Sequence, residues 1–193
     1  RPAVINVSLG TNGGPHDGTT LVEQGIDALV GAAPNRAVVI AASNSFDDGI
    51  HAAGSVSVGS VSELKWDVAA TLFRPIEMEI WYSGQDRFKV ELLGPNGALL
   101  ATAEPGETKQ VRIGSDLVAL LANRLDDPNN HDNMIGVFLM AGTSGVGKTE
   151  TALAVADLNA IPEHTLLLFF RRRTMIPPFP RGPRLSRGRL CWA

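Results

Sequence analysis

Residues 134–149 read Met-Ile-Gly-Val-Phe-Leu-Met-Ala-Gly-Thr-Ser-Gly-Val-Gly-Lys-Thr. Met134–Met140 is an apolar run of strand length, and Gly142–Thr149 follows it as a complete G-x-x-x-x-G-K-T phosphate-binding loop. In such a loop the N–H groups of Gly145, Val146 and Gly147 face phosphate oxygens. Gly142 opens the turn, Lys148 neutralises phosphate charge and Thr149 ligates Mg²⁺. The spacing predicts a helix from Lys148 to Leu158, giving a strand–loop–helix unit that could hold ATP and Mg²⁺.

Upstream the texture differs. Ala3–Leu9 and Ala37–Ala42 are apolar, β-branched runs that read as buried strands. Between them, apolar residues at Leu21, Val22, Ile26 and Leu29 have helical spacing, and Thr20 with Glu23 three residues on is a capping box. Strand, helix and strand within about 40 residues predict a βαβ unit with a parallel sheet. After Asn44, short strand-like runs recur between turn signals: Ser55–Val61, Trp66–Leu72, Ile76–Tyr82, Phe88–Leu93 and Val111–Ile113. Pro95-Asn96-Gly97 and Pro105-Gly106 are the strongest of those turns.

Bulk properties narrow the classes. The chain has 193 residues, 44% hydrophobic and 19% charged, with a net charge of −3. No apolar run approaches the roughly 18–20 residues that span a bilayer, so no membrane partner is expected. A lone Cys191 cannot form an internal disulfide. The chain opens at Arg1 within a strand-like run, without initiator Met or signal peptide. That reads as a missing N-terminus and leaves the compartment open. Charge is divided unevenly: residues 171–193 hold seven arginines and no acidic residue, and all 20 Asp and Glu lie before them. Pro177, Pro178, Pro180 and Pro183 in that stretch favour an unpacked tail over a nucleic-acid site.

The first 139 residues resemble subtilisin-like serine peptidases. Val4-Ile5-Asn6-Val7-Ser8-Leu9-Gly10, His16-Asp17-Gly18-Thr19 and Val38-Val39-Ile40-Ala41-Ala42-Ser43-Asn44 carry the likeness. The look is that of a bacterial subgroup with a β-rich insertion, here including Glu79-Ile80-Trp81-Tyr82 and Asn129-Asn130-His131-Asp132-Asn133. The resemblance implies that Ser8, Leu9 and Gly10 line the substrate cleft and pair with an extended peptide or protein substrate as an added strand. It implies that Asn44 is the oxyanion donor, and that the peptidase part needs no cofactor. The family has Gly where this chain has Ser43, so a backbone conformation suited to Gly would strain Ser43. The family's catalytic Asp, His and Ser have no match. His16 and His51 lack the context of a catalytic base. Gly142-Thr143-Ser144 resembles a nucleophile motif, but the phosphate loop explains the same residues.

Gly136–Met140 through Glu150–Ala154 is similar to the second ATPase module of Clp-type AAA+ unfoldases, the type VI secretion member especially. Hydrolysis there needs acidic residues ending a following strand. Leu166–Phe170 instead runs into Arg171-Arg172-Arg173, so a working ATPase is not expected.

These readings combine into an α/β chain: a partial parallel sheet of subtilase type, a β-rich sandwich-like insertion, then a strand–P-loop–helix fragment. The expected parts are a partial α/β core over 1–49, the insertion over 50–139, the P-loop fragment over 135–158 and an Arg/Pro-rich tail over 159–193. Functionally the chain reads as a chimeric fragment of a serine endopeptidase without its triad. A nucleotide-binding P-loop protein and a non-catalytic β-rich binding module are the alternatives. The βαβ unit lacks flanking strands, so its apolar faces are expected to be open to solvent.

Overall fold

The computed structural model describes residues 1–45, 50–66 and 75–140, together with the backbone of 151–157 and 164–171. Among the described residues there is one helix, and the chain is otherwise mostly β. Strands β1 (Ala3–Val7) and β2 (Arg36–Ile40) pair in parallel, from Ala3 opposite Arg36 to Val7 opposite Ile40. Helix α1 (Leu21–Gly31) connects them. Its N-terminus is the capping box read from the sequence: the Thr20 hydroxyl accepts from the Glu23 N–H, and the Glu23 carboxylate accepts from the Thr20 N–H. Pro34 follows the C-terminal end at Ala32, where a helix cannot readily continue.

The two strands are not buried as their apolar content suggested. The unit has two strands and one helix, and among the described residues nothing covers its outer faces: Val4 and Val22 are each 72% exposed. No residue of α1 is buried. The open apolar faces expected of a βαβ unit without flanking strands are therefore present.

The rest forms two facing sheets. Their strands are β3 (His51–Val56), β4 (Val61–Trp66), β5 (Ile76–Tyr82), β6 (Phe88–Leu93), β7 (Leu99–Ala103), β8 (Thr108–Ile113), β9 (Asp116–Arg124), β10 (Asn133–Leu139), β11 (Thr151–Asp157) and β12 (His164–Arg171). One sheet runs β3-β12-β5-β10-β9-β8, and the other β4-β11-β6-β7. Alternation builds the core between them. Phe88, Val90 and Leu92 are buried on β6 while Lys89 and Glu91 are half-buried on the other side. Met78, Ile80 and Tyr82 on β5 and Ile135, Val137 and Leu139 on β10 join the same cluster. Trp81 and Met134 stand directly opposite one another and make a second, smaller cluster.

Two expectations are corrected here. Residues 151–157 are a strand, not part of the helix predicted over Lys148–Leu158. Tertiary pairing on both sides, with β4 and with β6, overrides the helical preference of the alanines in this stretch. Within the stretch expected to be an unpacked tail, His164–Arg171 is a strand inserted between β3 and β5. The remainder of that stretch lies outside the described residues.

The sandwich is locked at one end by two loops. The Gly84 turn joins β5 to β6 and packs on the β9–β10 loop so closely that a Cβ at Gly84 would lie 2.0 Å from the His131 carbonyl oxygen. Asn133 donates to the carbonyls of Ser83 and Asp86 and accepts from the Asp126 N–H. Because the clash at Gly84 is with backbone, no side chain can swing away to relieve it. Gly84→Ala is expected to destabilise the sandwich by about 2–3 kcal/mol, measured as a lowered urea midpoint at unchanged slope.

Candidate functional site

The sequence-read peptide edge and oxyanion residue lie at the same end of neighbouring strands. Ser8, Leu9 and Gly10 follow the C-terminal end of β1, and Asn44 follows that of β2. The pairing continues past β2, with the Ala41 N–H donating to the Val7 carbonyl at 3.0 Å. In open α/β sheets this carboxyl end is where ligands bind. Ser8, Leu9, Gly10 and Asn44 are all exposed, with Leu9 at 77%. A Cβ at Gly10 would meet nothing within 4 Å, so the backbone there is open to an approaching chain.

Ser43 has φ +77, in the left-handed region. This is the conformation that glycine adopts freely and an L-residue adopts at a cost. Its hydroxyl partly compensates by accepting from the Ser45 N–H at 3.2 Å. Ser43→Gly is expected to raise stability by about 0.5–1 kcal/mol, read as slower amide exchange in β1 and β2. No gain would mean the strain is absent.

Sequence reading missed the seam that holds this edge to the sandwich. Glu79 lies on the outward side of β5, and its Oε2 accepts from the Gly14 N–H at 2.8 Å and from the Trp81 indole N–H at 2.9 Å. Gly13 and Gly14 allow the approach: a Cβ at Gly13 would be 3.3 Å from the Glu79 carboxylate, and Gly14 has φ +104. A second tie runs from the Asn130 side-chain amide to the Thr19 hydroxyl at 2.9 Å. Asn130 also donates to Asp132 at 3.0 Å. Burial pushes the Asp132 carboxyl up from its usual range, with the nearby negative charge of Asp17 and Asp127 adding to the effect and the Gly84 N–H opposing it. The signal available in sequence was the Gly13-Gly14 pair, which marks a close backbone approach without naming its partner.

The phosphate-loop residues Gly142, Gly145, Val146, Gly147, Lys148 and Thr149 lie outside the described residues. What is described is their sequel, β11, which occupies positions the expected helix would need. Among the described residues no group of three or more His, Cys, Asp or Glu side chains is placed to hold a metal ion. Among them, too, no helix is long and apolar enough to cross a membrane.

Three comparisons bear on these observations. No family model matches the chain. The architecture is a βαβ unit leading into an antiparallel sandwich. In fold it is similar to the structure of the Clostridium perfringens CspB protease, with a TM-score of 0.72 and 19% identity over 88% of this chain and 36% of that one. A shorter sequence match joins it to the AAA+ ATPase ClpV1 of Pseudomonas aeruginosa, 50% identical over 50 residues, which is 23% of this chain and 6% of that protein. The chain therefore spans about a third of the protease it resembles and a small fraction of the ATPase.

Proposed function

We propose that this chain carries the peptide-binding edge and oxyanion donor of a subtilisin-like serine endopeptidase without its catalytic triad, and does not hydrolyse peptides as it stands. The observation that carries the reading is the placement of Ser8–Gly10 and Asn44 at the carboxyl ends of adjacent parallel strands, with Ser43 at φ +77 between strand and donor. The likeness of fold to the CspB protease supports it. An extended peptide laid along Ser8–Gly10 would pair with the edge of β1 as an added strand, and Asn44 would face the developing negative charge on its carbonyl oxygen. Without a nucleophile and a base, that charge never develops. The test is exposure of the purified chain to a fluorophosphonate serine probe and to an unfolded protein substrate. Neither labelling nor turnover is expected. Covalent labelling of any serine, Ser144 included, would overturn the reading.

A second reading is favoured by the short match to an AAA+ ATPase. In it, Gly142, Gly145, Val146, Gly147, Lys148 and Thr149 bind a Mg²⁺-nucleotide without hydrolysing it. Binding of Mg-ADP that disappears in Lys148→Ala supports it, and equal heats of titration in the two chains remove it.

A further inference from the structure

Ser8, Leu9 and Gly10 are held from both ends and left open in the middle. On one side the Val7 carbonyl accepts from the Ala41 N–H at 3.0 Å, which fastens the end of β1 to β2. On the other the Thr11 hydroxyl accepts from the Gly13 N–H at 3.2 Å in a short side-chain turn, and the next residue, Gly14, donates its N–H to Glu79 at 2.8 Å. Between these points, among the described residues, Ser8–Gly10 makes no backbone–backbone hydrogen bond. Its N–H and C=O groups are those an added strand would use. The far anchor is itself fixed. Glu79 and Trp81 are two apart on β5 and so share its outward face. The Trp81 indole N–H donates to the same carboxylate oxygen at 2.9 Å, and Trp81 is buried with Met134 behind it.

We propose that Glu79 is a positioning residue for the peptide edge, its carboxylate holding Gly14 so that Ser8–Gly10 is already ordered when a peptide arrives. The proposal rests on the peptide-binding reading above. Glu79 does not touch the peptide; it acts through Gly14. An edge ordered beforehand loses little further freedom on binding, and affinity rises accordingly. Without the anchor, Ser8–Gly10 is fixed only at Val7, and the backbone freedom regained there must be lost again when the strand is added. The second tie, from Asn130 to Thr19, reaches the chain beyond His16–Gly18, so it holds the unit to the sandwich without fixing the edge.

The test uses the full chain and the capped peptide acetyl-penta-alanine amide, its binding followed by the nuclear magnetic resonance shifts of the Leu9 and Gly10 amides. Glu79→Ala is expected to weaken binding about tenfold. Glu79→Gln keeps an oxygen that accepts from Gly14 and Trp81 and should restore most of the affinity, whereas Asn130→Ala should change it little. Gly13→Ala, whose added Cβ would lie 3.3 Å from the Glu79 carboxylate, displaces the anchor without removing it and should weaken binding in the same direction. It carries the test if Glu79→Ala does not fold. Equal affinity in the unaltered chain, Glu79→Ala and Gly13→Ala, or equal losses in Glu79→Ala and Asn130→Ala, would overturn the positioning role and leave the peptide edge standing. Absence of any peptide-induced shift at Leu9 and Gly10 in the unaltered chain would overturn both.

Discussion

Asn123→Ala is expected to cost the sandwich about 3–5 kcal/mol, a large share of the roughly 5–15 kcal/mol that holds a domain of this size together. Asn123 lies on β9 and is fully buried. Its amide donates to the Phe88 carbonyl at 2.7 Å and the Ala103 carbonyl at 3.3 Å, reaching β6 and β7 of the opposite sheet. Its side-chain oxygen accepts from the Tyr82 hydroxyl at 3.0 Å. One side chain thus ties both sheets, and truncation removes a partner from the Tyr82 hydroxyl and from the Phe88 and Ala103 carbonyls in the core, a buried polar group that loses its partner costing about 1–3 kcal/mol.

The readout is direct because Tyr82 is the only tyrosine. Burial, the largest influence, pushes its phenol far above the ordinary value, against the lowering effect of Arg87. Below about pH 10 the phenol is neutral folded and unfolded, so its contribution to stability is fully present. Above that the unfolded chain ionises while the folded one keeps its proton. Stability then falls by up to about 1.4 kcal/mol per pH unit until the folded phenol also ionises. Tyrosinate absorbance in the native protein should therefore rise together with loss of the sandwich's circular dichroism. In Asn123→Ala both should move to lower pH together. Smooth ionisation near pH 10 with the fold intact would show that Tyr82 is not buried in this way.

The sequence disclosed elements wherever local chemistry and tertiary environment agreed. β5 and β6 run over the residues expected, because Ile76–Ile80 and Phe88–Leu92 alternate apolar with charged residues and turn signals bound the runs. The capping box at Thr20 located α1 for the same reason. β9 escaped notice because Asp116–Arg124 is rich in Leu and Ala, which have no strand preference of their own. It is a strand because β8 and β10 flank it. β7 escaped for a similar reason, and β3 lies N-terminal to the run expected at Ser55–Val61. At the candidate site, Ser8–Gly10 and Asn44 were singled out by their motifs, and the structure places them just beyond the ends of β1 and β2. Glu79 was not singled out, since its partner Gly14 lies 65 positions away and only folding brings them together.

β11 shows the opposite limit. The motif at Gly142–Thr149 correctly states what a phosphate loop needs next, and the sandwich supplies a stronger local demand: an open position between β4 and β6 that Thr151–Asp157 fills. A motif specifies its own continuation only when no neighbouring structure competes for the same residues.

The central claim is that residues 1–45 hold a peptide edge and an oxyanion donor in working register. It is tested by grafting them in place of the matching segment of an active subtilisin-like peptidase and comparing the graft with its Asn44→Ala variant. Loss of one oxyanion donor costs about 10²–10³ in turnover in peptidases of that class. The account predicts a fall in kcat of that size with KM little changed, since the interaction exists only in the transition state. A graft that turns over substrate equally well with Ala at position 44 would contradict it.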